Sequence, residues 1–317
     1  MRFRLTKDEI ARLIPMSSIS QLPHINVCIC TFQRPEYLRR TLKALNAQET
    51  DNLFTYSVIV VDNDAEASAR NTVSDFPSIG GHPVTYVVEP EKNISCARNA
   101  ALLHASGDYI AFVDDDEYPA PDWLLKLLQT CKAADVDGVL GPVRPYYDSP
   151  PPAWVTKGAF FERPSHPTGM VLNWSQTRTG NVIFSRRILP KNEAPFRVEC
   201  GVAGGDMDFF RRLMAQGRRF IWCEEAVVFE VVPPSRCRLS YLLKRALMRG
   251  SKFHGHPVNR MKNAVKSLIA VPAYIIALPF LALLGAHFFV KYLIKLCDHF
   301  ARLLGFVGIE LVGQRPT

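Results

Sequence analysis

Three adjacent aspartates, Asp114, Asp115 and Asp116, directly follow an apolar stretch at residues 108–113 (DYIAFV). Burying an unpaired carboxylate costs free energy, so some group must offset the charge of this triplet. A divalent cation that bridges carboxylate and phosphate oxygens can do so, and Mg²⁺ and Mn²⁺ are common cations of this kind. The triplet therefore indicates a metal and phosphate site, and an acidic turn after an edge strand is the alternative interpretation.

Other polar residues end neighbouring apolar runs. Thr31 and Asp62 each close a short β-branched segment, as Asp114 does. Open α/β sheets bind ligands just beyond the carboxyl ends of their strands, so these three ends are expected to converge. Asp62 can accept a hydrogen bond from a base N–H or a ribose hydroxyl. Asn93 and Arg98 offer donors, and Arg98 suits a diphosphate oxygen.

A second acidic site follows the glycine pair Gly204-Gly205. Asp206 and Asp208 lie there at the predicted start of a helix. A carboxylate at this place can act as a general base that takes a proton from an attacking hydroxyl. Capping of the helix N-terminus is the alternative, and each interpretation can apply to a different member of the pair.

The elements that must position these residues follow from hydrophobic periodicity. Apolar runs at 25–31 and 57–62 flank a segment with helical spacing at 36–48, which predicts a strand, a helix and a parallel strand. Residues 144–170 are rich in Pro, Gly and aromatic residues and predict a long loop. The fold class is therefore α/β, with a mostly parallel, Rossmann-like sheet flanked by helices. Further strands are predicted at 84–89, 108–113, 136–143 and 179–186, and further helices at 93–105, 122–133 and 206–216.

The last eighty residues differ in character. Residues 267–290 contain no Asp, Glu, Lys or Arg, and 24 helical residues exceed the roughly 20 that span a bilayer. The preceding window 235–266 holds nine Lys or Arg and no acidic residue, within a chain of net charge +8. Basic residues beside an apolar helix favour the cytoplasmic side. Basic residues also follow the apolar run, which leaves a re-entrant hairpin or a buried soluble helix as alternatives.

The cysteines and the N-terminus are typical of a reduced, cytosolic setting. Eight cysteines are present, without a CxxC motif or metal-ligand spacing. The first fifteen residues (MRFRLTKDEIARLIP) are charged throughout and lack the apolar core of a signal peptide.

Four segments carry a resemblance to a known family. In order they are VCICTFQRPEYLRRTLKAL, VIVVDND, NISCARNAALLHASGDYIAFVDDDEYPAPDWL and GGDMDFFRRL. This set resembles the family 2 glycosyltransferases over roughly residues 24–250. The later segment EAVVFEVVPPSRCRLSYLLKRALMRG is similar to bacterial enzymes of succinoglycan-type exopolysaccharide biosynthesis. The resemblance implies a GT-A fold, a nucleotide-sugar donor, a saccharide acceptor, a divalent metal and inversion at the anomeric carbon.

The resemblance also implies roles by position. Two departures from the family pattern bear on them: Gly205 stands before Asp206 where the family often has Glu, and Glu230 stands where many members have a metal-binding His. The implied roles are base contacts for Thr31 and Asp62, a base or diphosphate contact for Arg98, the ribose side for Asp114 and Asp115, the metal for Asp116 and the general base for Asp206.

The predicted organisation places the enzyme at a membrane. We expect it on the cytoplasmic face of the inner membrane, with a lipid-linked saccharide acceptor and without nucleic acid, because the adjoining apolar run makes lipid the better partner for the basic block. The predicted segments are an N-terminal extension (1–23), a catalytic domain (24–235), a basic amphipathic juxtamembrane segment (236–266), a transmembrane or re-entrant helix (267–290) and an amphipathic tail (291–317).

Two other functions compete with this interpretation. A sugar nucleotidyltransferase would show a glycine-rich, basic loop after the first strand, whereas residues 31–34 (TFQR) hold one basic residue and no glycine. A membrane-anchored protein that binds a nucleotide sugar without catalysis would keep the donor site and lose the general base.

Overall fold

The computed structural model describes residues 22–190, 193–201, 204–252 and 260–309. Nearly all of the predicted N-terminal extension, including the residues tested for a signal peptide, lies outside the described residues. Part of the basic juxtamembrane segment (253–259) and the end of the tail (310–317) also lie outside them.

A seven-stranded sheet forms the centre of the molecule, and only its strand Asn181–Ser185 runs antiparallel to both neighbours. The predicted α/β class with a mostly parallel sheet is therefore confirmed. In spatial order the strands are Phe220–Trp222 (β11), Gly138–Leu140 (β8), Asn181–Ser185 (β10), Tyr109–Val113 (β6), His24–Thr31 (β1), Thr55–Asp62 (β2) and Thr85–Val88 (β5).

Helices cover both faces of this sheet, as its doubly buried strands require. The helices are Pro35–Asn46 (α1), Arg70–Ser74 (α2), Ile94–His104 (α3), Trp123–Ala133 (α4), Ala153–Gly158 (α5), Gly205–Ala215 (α6), Leu239–Lys252 (α7), Arg260–Leu283 (α8) and Ala286–Phe306 (α9). Leucines of α1 and α4 pack on one face of the sheet, and alanines of α3 with phenylalanines of α6 pack on the other.

A second, three-stranded sheet stands next to the first, and the sequence did not predict it. Its order is Glu117–Pro119 (β7), Val228–Val231 (β12) and Val143–Tyr146 (β9). The strand predicted at 136–143 is confirmed only over Gly138–Leu140 (β8), and its last residue, Val143, already starts β9 in the other sheet. Gly141 makes the crossing possible: a Cβ there would lie 2.2 Å from the Ala226 carbonyl oxygen. The predicted loop at 144–170 contains most of β9 and all of α5. A small hairpin of Ser78–Ile79 (β3) and His82–Pro83 (β4) completes the strands.

The apolar run at 267–290 is divided between two helices. Gly285, with a φ of +123°, separates α8 from α9. The two helices run antiparallel, since Ser267 Oγ lies 2.9 Å from His299 Nδ1 and the rings of Tyr274 and Tyr292 lie 5.7 Å apart. Among the described residues, one helix is long and apolar enough to cross a membrane, at Asn263–Leu283 with a mean hydropathy of 1.9.

The helical hairpin is joined to the rest of the chain through α7. Arg249 of α7 donates from Nε to Asp298 Oδ1 of α9 at 3.0 Å. Gly250 allows close contact of the two helices, because a Cβ there would lie 2.5 Å from the Asp298 carbonyl oxygen. α9 also packs against α5.

Candidate active site

The ends of β1 and β6 are tied together by one buried hydrogen bond. Thr31 Oγ1 donates to Asp115 Oδ2 at 2.8 Å. From the other side, the hydroxyl of Thr41 on α1 donates to the Asp115 carbonyl at 3.0 Å and to the Glu117 carbonyl at 2.5 Å. The acidic triplet therefore forms a fixed turn at the carboxyl edge of the sheet.

Four of the predicted site residues affect the electrostatic environment of Cys30, near the end of β1. Burial raises the pKa of its thiol to about 12, Arg98 acts in the opposite direction, and Asp114, Asp115 and Asp206 raise it further. The contacts agree with this, because Thr179 donates to Asp206 and the adjacent Gly180 lies against Asp114. The structure thus brings the triplet, Asp206 and its partner Arg98 to the same edge of the sheet.

Asp206 is held by two different elements. Arg98 Nη1 of α3 donates to Asp206 Oδ1 at 2.5 Å, and Thr179 Oγ1 donates to Asp206 Oδ2 at 2.9 Å. Asp208, two residues further along α6, forms ion pairs with Arg211 and Arg212 at 3.1 and 2.9 Å. These arginines hold the pKa of Asp208 below its ordinary value despite partial burial. Of the two acids, Asp206 alone faces the triplet.

Asp116 contacts two arginines that the sequence did not single out. Its Oδ2 accepts from Arg34 Nη1 at 3.4 Å and from Arg236 Nη2 at 3.1 Å. Arg34 follows β1, and Arg236 follows β12, 120 residues away from Asp116. The carboxylate predicted to ligate a metal therefore has its charge offset by guanidinium groups here.

Glu117 is a fully buried carboxylate next to the triplet. Its Oε1 has no hydrogen-bond partner, and Arg163 Nη1 lies 3.5 Å from the same oxygen. Burial, followed by the charge of Asp114, raises the pKa of Glu117 well above its ordinary value. The backbone of Gly180 contacts the same region, since a Cβ there would lie 2.9 Å from Glu117 Oε1 and 3.0 Å from Asp114 Oδ2.

The triplet itself is hard to ionise. Asp114 is exposed, and the surrounding protein, together with Asp116 and Asp206, raises its pKa to about 6 against the effect of Arg98. Burial and then the charge of Asp116 raise the pKa of Asp115 to about 7, against the effects of Arg34 and Thr31. A cation at this site would be attracted by carboxylates that lie close to one another.

Asp62 and Asn93, two residues predicted to contact the donor, both form hydrogen bonds within the protein. Asp62 is fully buried beside Thr31, and its Oδ2 accepts from the Ala69 N–H at 2.7 Å and the Tyr86 hydroxyl at 2.8 Å, while Oδ1 has no partner. Asn93 caps α3 through the Ser95 N–H at 2.9 Å and donates to the Val198 carbonyl at 3.0 Å. Its side chain is therefore committed to holding α3 and the neighbouring loop.

Asn181, Trp154 and Trp174 are polar or aromatic residues that could contact a saccharide, and the structure places them apart from one another. Asn181 is buried and uses its amide for Trp123 Nε1 at 2.8 Å and for two backbone carbonyls. Trp154 packs edge-on against Phe160. Trp174 is exposed in a short 3₁₀ helix, Trp174–Gln176.

Several charged residues of the site had no local sequence signal. Arg34, Arg163 and Arg236 each have an acidic partner 67 to 120 residues away, so no spacing or periodicity connects these pairs. Arg163, for instance, ion-pairs with Glu230, the residue at the family's histidine position, and Arg236 Nη1 reaches the other oxygen of Glu230 at 3.2 Å. The set that sequence reasoning missed comprises Arg34, Glu117, Arg163, Arg178, Thr179 and Arg236.

The donor atoms at this edge suit a hard divalent cation. Among the described residues no three His, Cys, Asp or Glu side chains form a ready metal cage. Magnesium is commonly held by one or two carboxylates together with substrate phosphates, so a full cage is not required. Three acidic side chains fit a magnesium ion of this kind. Asp114 is accessible, Glu117 Oε1 has no hydrogen-bond partner, and Asp116 can exchange a guanidinium group for a cation.

Comparison with known proteins decides the family. The sequence profile described as Glycosyl transferase family 2 matches residues 26–191. Succinoglycan biosynthesis protein ExoM of Rhizobium meliloti (strain 1021) is 38% identical over 236 residues, which cover 73% of this chain and 74% of ExoM. The chain belongs to glycosyltransferase family 2. It is a transferase related to enzymes of exopolysaccharide biosynthesis, and family 2 glycosyltransferases use nucleotide-sugar donors.

Other glycosyltransferases extend the comparison. Glycosyltransferase AglE of Haloferax volcanii is 24% identical over 212 residues, covering 66% of this chain and 67% of AglE. The crystal structure of S. aureus TarS 1-349 in complex with UDP has a TM-score of 0.52 and 17% identity, over 70% of this chain and 63% of that one. The chain therefore spans less than two thirds of TarS 1-349. The TarS likeness shows that this glycosyltransferase has a GT-A-like fold.

Proposed function

We propose that this glycosyltransferase moves one sugar from a nucleotide-sugar donor to a lipid-linked saccharide acceptor in the synthesis of a bacterial surface or exopolysaccharide. The observation that carries the proposal is the arrangement at one sheet edge. Thr31 is hydrogen-bonded to Asp115 of the acidic triplet, and Asp206 is held by Arg98 and by Thr179, whose neighbour Gly180 lies against Asp114. A donor site and a general base for the acceptor then lie within reach of each other. Such placement supports a direct transfer between the two substrates.

The donor nucleotide is assigned to the ends of β2, β1 and β6. Asp62 supports this assignment because its buried Oδ1 has no partner, and a base N–H would satisfy such an acceptor. Thr31 lies between Asp62 and Asp115, and Asp114 and Asp115 face the ribose side. Arg98 supplies positive charge near the diphosphate.

Asp116 is the residue we assign to the metal, with Asp114 beside it. A bound Mg²⁺ or Mn²⁺ would neutralise charge on the leaving nucleotide diphosphate. Arg34 and Arg236, which contact Asp116 in this structure, remain next to the same oxygens and add positive charge there.

Asp206 is the proposed general base. It takes the proton of the acceptor hydroxyl as that oxygen attacks the anomeric carbon, so that one displacement inverts the configuration. Arg98 and Thr179 hold its two oxygens in a fixed orientation. The ion pairs of Asp208 support its exclusion from this role.

The C-terminal hairpin is proposed to hold the enzyme at the cytoplasmic face of the inner membrane. Charged residues recur on α9 at Lys291, Lys295, Asp298 and Arg302, a spacing that places them on one face. A charged side chain at the bilayer centre costs about 2.5–3.5 kcal/mol, so a fully inserted hairpin would be expensive. We therefore favour α8 embedded in the interface with α9 on its protein side.

Binding measurements test the donor and metal assignments together. We expect one of UDP-, GDP- or dTDP-sugars to raise the melting temperature of the purified chain in the presence of Mn²⁺ or Mg²⁺, because a ligand of the native state stabilises it. UDP-sugars come first, since the TarS fragment binds UDP. Asp116→Ala should lose the metal-dependent part of the shift and metal-dependent transfer, whereas Asp148→Ala, an exposed acid paired with Arg40, should keep both. A chain that responds to no nucleotide sugar would contradict the proposed function, and wild-type turnover of Asp116→Ala would remove the metal role.

A further inference from the structure

A cavity of about 280 Å³ lies beside the proposed reaction centre and has no role in the donor assignment. It opens where β8 and β11 end and β10 begins, at Leu140, Trp222 and Asn181. These ends share the sheet edge of the acidic triplet, since Asn181 pairs with Val113, the residue before Asp114. The cavity is therefore part of the active-site edge and lies on the far side of β6 from the nucleotide strands.

The wall of this cavity is cationic. Its described lining residues include Arg163, Arg178 and His166 and no Asp or Glu. Arg163 has its charge offset by Glu117 and Glu230. Arg178 is exposed, and within the described part of the chain it makes no ion pair and no hydrogen bond. The surrounding protein and then Arg163 lower the pKa of its guanidinium, and the more distant Asp206, Glu117 and Glu230 oppose them. The cavity thus contains a guanidinium group that no carboxylate of the described residues contacts directly.

Sheet order separates this guanidinium from the donor nucleotide. Arg178 lies just before β10, and from β2, at the base side of the nucleotide, three strand steps lead through β1 and β6 to β10. At about 4.8 Å per step this is roughly 14 Å. Thr179, the neighbour of Arg178, donates to Asp206, so the cavity opens beside the general base. The acceptor must approach this base, which makes the acceptor the substrate that reaches the cavity.

We propose that this cavity binds an anionic group of the acceptor, with Arg178 as its direct contact and Arg163 as a second positive charge. A carboxylate or a phosphate ester has the planar or branched oxygens that a guanidinium binds through paired hydrogen bonds. An anion there would also relieve the repulsion between the two arginines. Trp222 and Leu140 supply apolar wall for the sugar ring that carries the anion. This inference rests on the proposed function, because it names the acceptor class of the same site.

The test uses the full chain and three small probes. Phenyl β-D-glucoside is neutral, phenyl β-D-glucuronide carries a carboxylate and glucose 1-phosphate carries a phosphate. We expect one or both anionic probes to bind more tightly than the neutral glucoside by calorimetry. The glucuronide arm identifies an acidic sugar of the acceptor, and the phosphate arm identifies the phosphate through which a lipid carries it. Equal binding of all three probes, or no binding, would overturn the proposal.

Variants assign the effect to the cavity. Arg178→Gln should weaken binding of the preferred anionic probe roughly tenfold to a hundredfold, as expected for a hydrogen bond to a charged group, and should leave UDP binding unchanged. Arg186→Gln is the matched control, because Arg186 is exposed just past the opposite end of β10. Unchanged anion binding in Arg178→Gln would contradict the assignment, whether or not UDP binding becomes weaker. UDP binding by the wild-type chain is measured separately, so failure of the donor site is distinguishable from failure of this cavity.

Discussion

Asp206 has both carboxylate oxygens engaged, each by a different element. Arg98 belongs to a helix on one face of the sheet, and Thr179 precedes the antiparallel strand β10. A carboxylate held from two sides has little freedom to rotate, so its proton-accepting oxygen keeps one direction toward the cleft. A general base must first be oriented for proton transfer, and only then does its pKa affect the rate.

We expect Asp206→Asn to lower kcat for sugar transfer by about 10²–10⁴-fold, because the amide cannot accept the acceptor proton. The affinity for UDP should change little, since the amide keeps the size of the side chain. Transfer assays and calorimetry measure the two quantities. Asp208→Asn is the control on the same helical turn, and it should lower the melting temperature through lost ion pairs while transfer continues. The reverse pattern, with Asp208 essential and Asp206 dispensable, would refute the assignment.

Residue types and spacing could identify the triplet, Arg98 and Asp206, because these residues stand in segments with family-like patterns. The same reasoning could not find Arg163 or Arg236. Arg163 stands in an irregular stretch and Arg236 at the start of the basic segment, and their acidic partners Glu230 and Asp116 lie 67 and 120 residues away, respectively. Asn93, for which the sequence suggested a donor contact, also caps α3, and that contact stays a prediction.

At the scale of elements, the sequence predicted four strands that are apolar along most of their length. β1, β2 and β6 are buried on both faces, β5 is a partly exposed edge strand, and each of the four lies within two residues of its predicted bounds. The strands β7 and β12 were not predicted, because they are three and four residues long and contain buried or paired glutamates. The break after β8 was missed because it depends on close contact of Gly141 with the Ala226 carbonyl, which is a tertiary effect.

The start of β1 gives a prediction about pH. Burial lowers the pKa of His24, His82 lowers it further and Asp108 opposes them. The folded state therefore prefers the neutral ring, so this contribution to stability is present above the unfolded pKa of about 6.5 and is lost as pH falls through it. We expect His24→Gln to reduce the loss of melting temperature between about pH 7.5 and about pH 5.5 relative to the wild-type chain. The exposed His104→Gln serves as control, and an identical effect of both variants would contradict the prediction.

At the scale of the whole molecule, the outer surface of α8 is strongly apolar. Its large side chains remain exposed while the opposite face, including the buried Ser267, packs against α9. Exposed apolar surface of this extent marks an interaction site rather than a solvent-facing helix. The exposed residues are Met261, Val265, Leu268, Ile269, Ile275, Ile276, Phe280 and Leu283.

We expect the full chain to sediment with vesicles of phosphatidylethanolamine and phosphatidylglycerol, and the double variant Ile269→Glu, Ile276→Glu to lose most of this binding. Each glutamate puts a charge where lipid contact is proposed, at a cost of a few kcal/mol. Leu103→Glu is the matched control, because Leu103 is an equally exposed leucine on α3 of the catalytic domain. If the wild-type chain stays in the supernatant, or the double variant binds as well as the wild type, the membrane role of α8 is wrong.

The turn at Gly285 has a topological consequence. A hairpin returns the chain to the side from which it started, and α9 ends beside α7, which continues directly from the catalytic part. However deeply the hairpin enters a bilayer, residues on both sides of it therefore share one compartment. With the active site on the cytoplasmic face, as proposed, we expect a fluorescent reporter fused after Thr317 to be active and a periplasmic phosphatase reporter at the same place to be inactive, whereas the opposite result would contradict that placement.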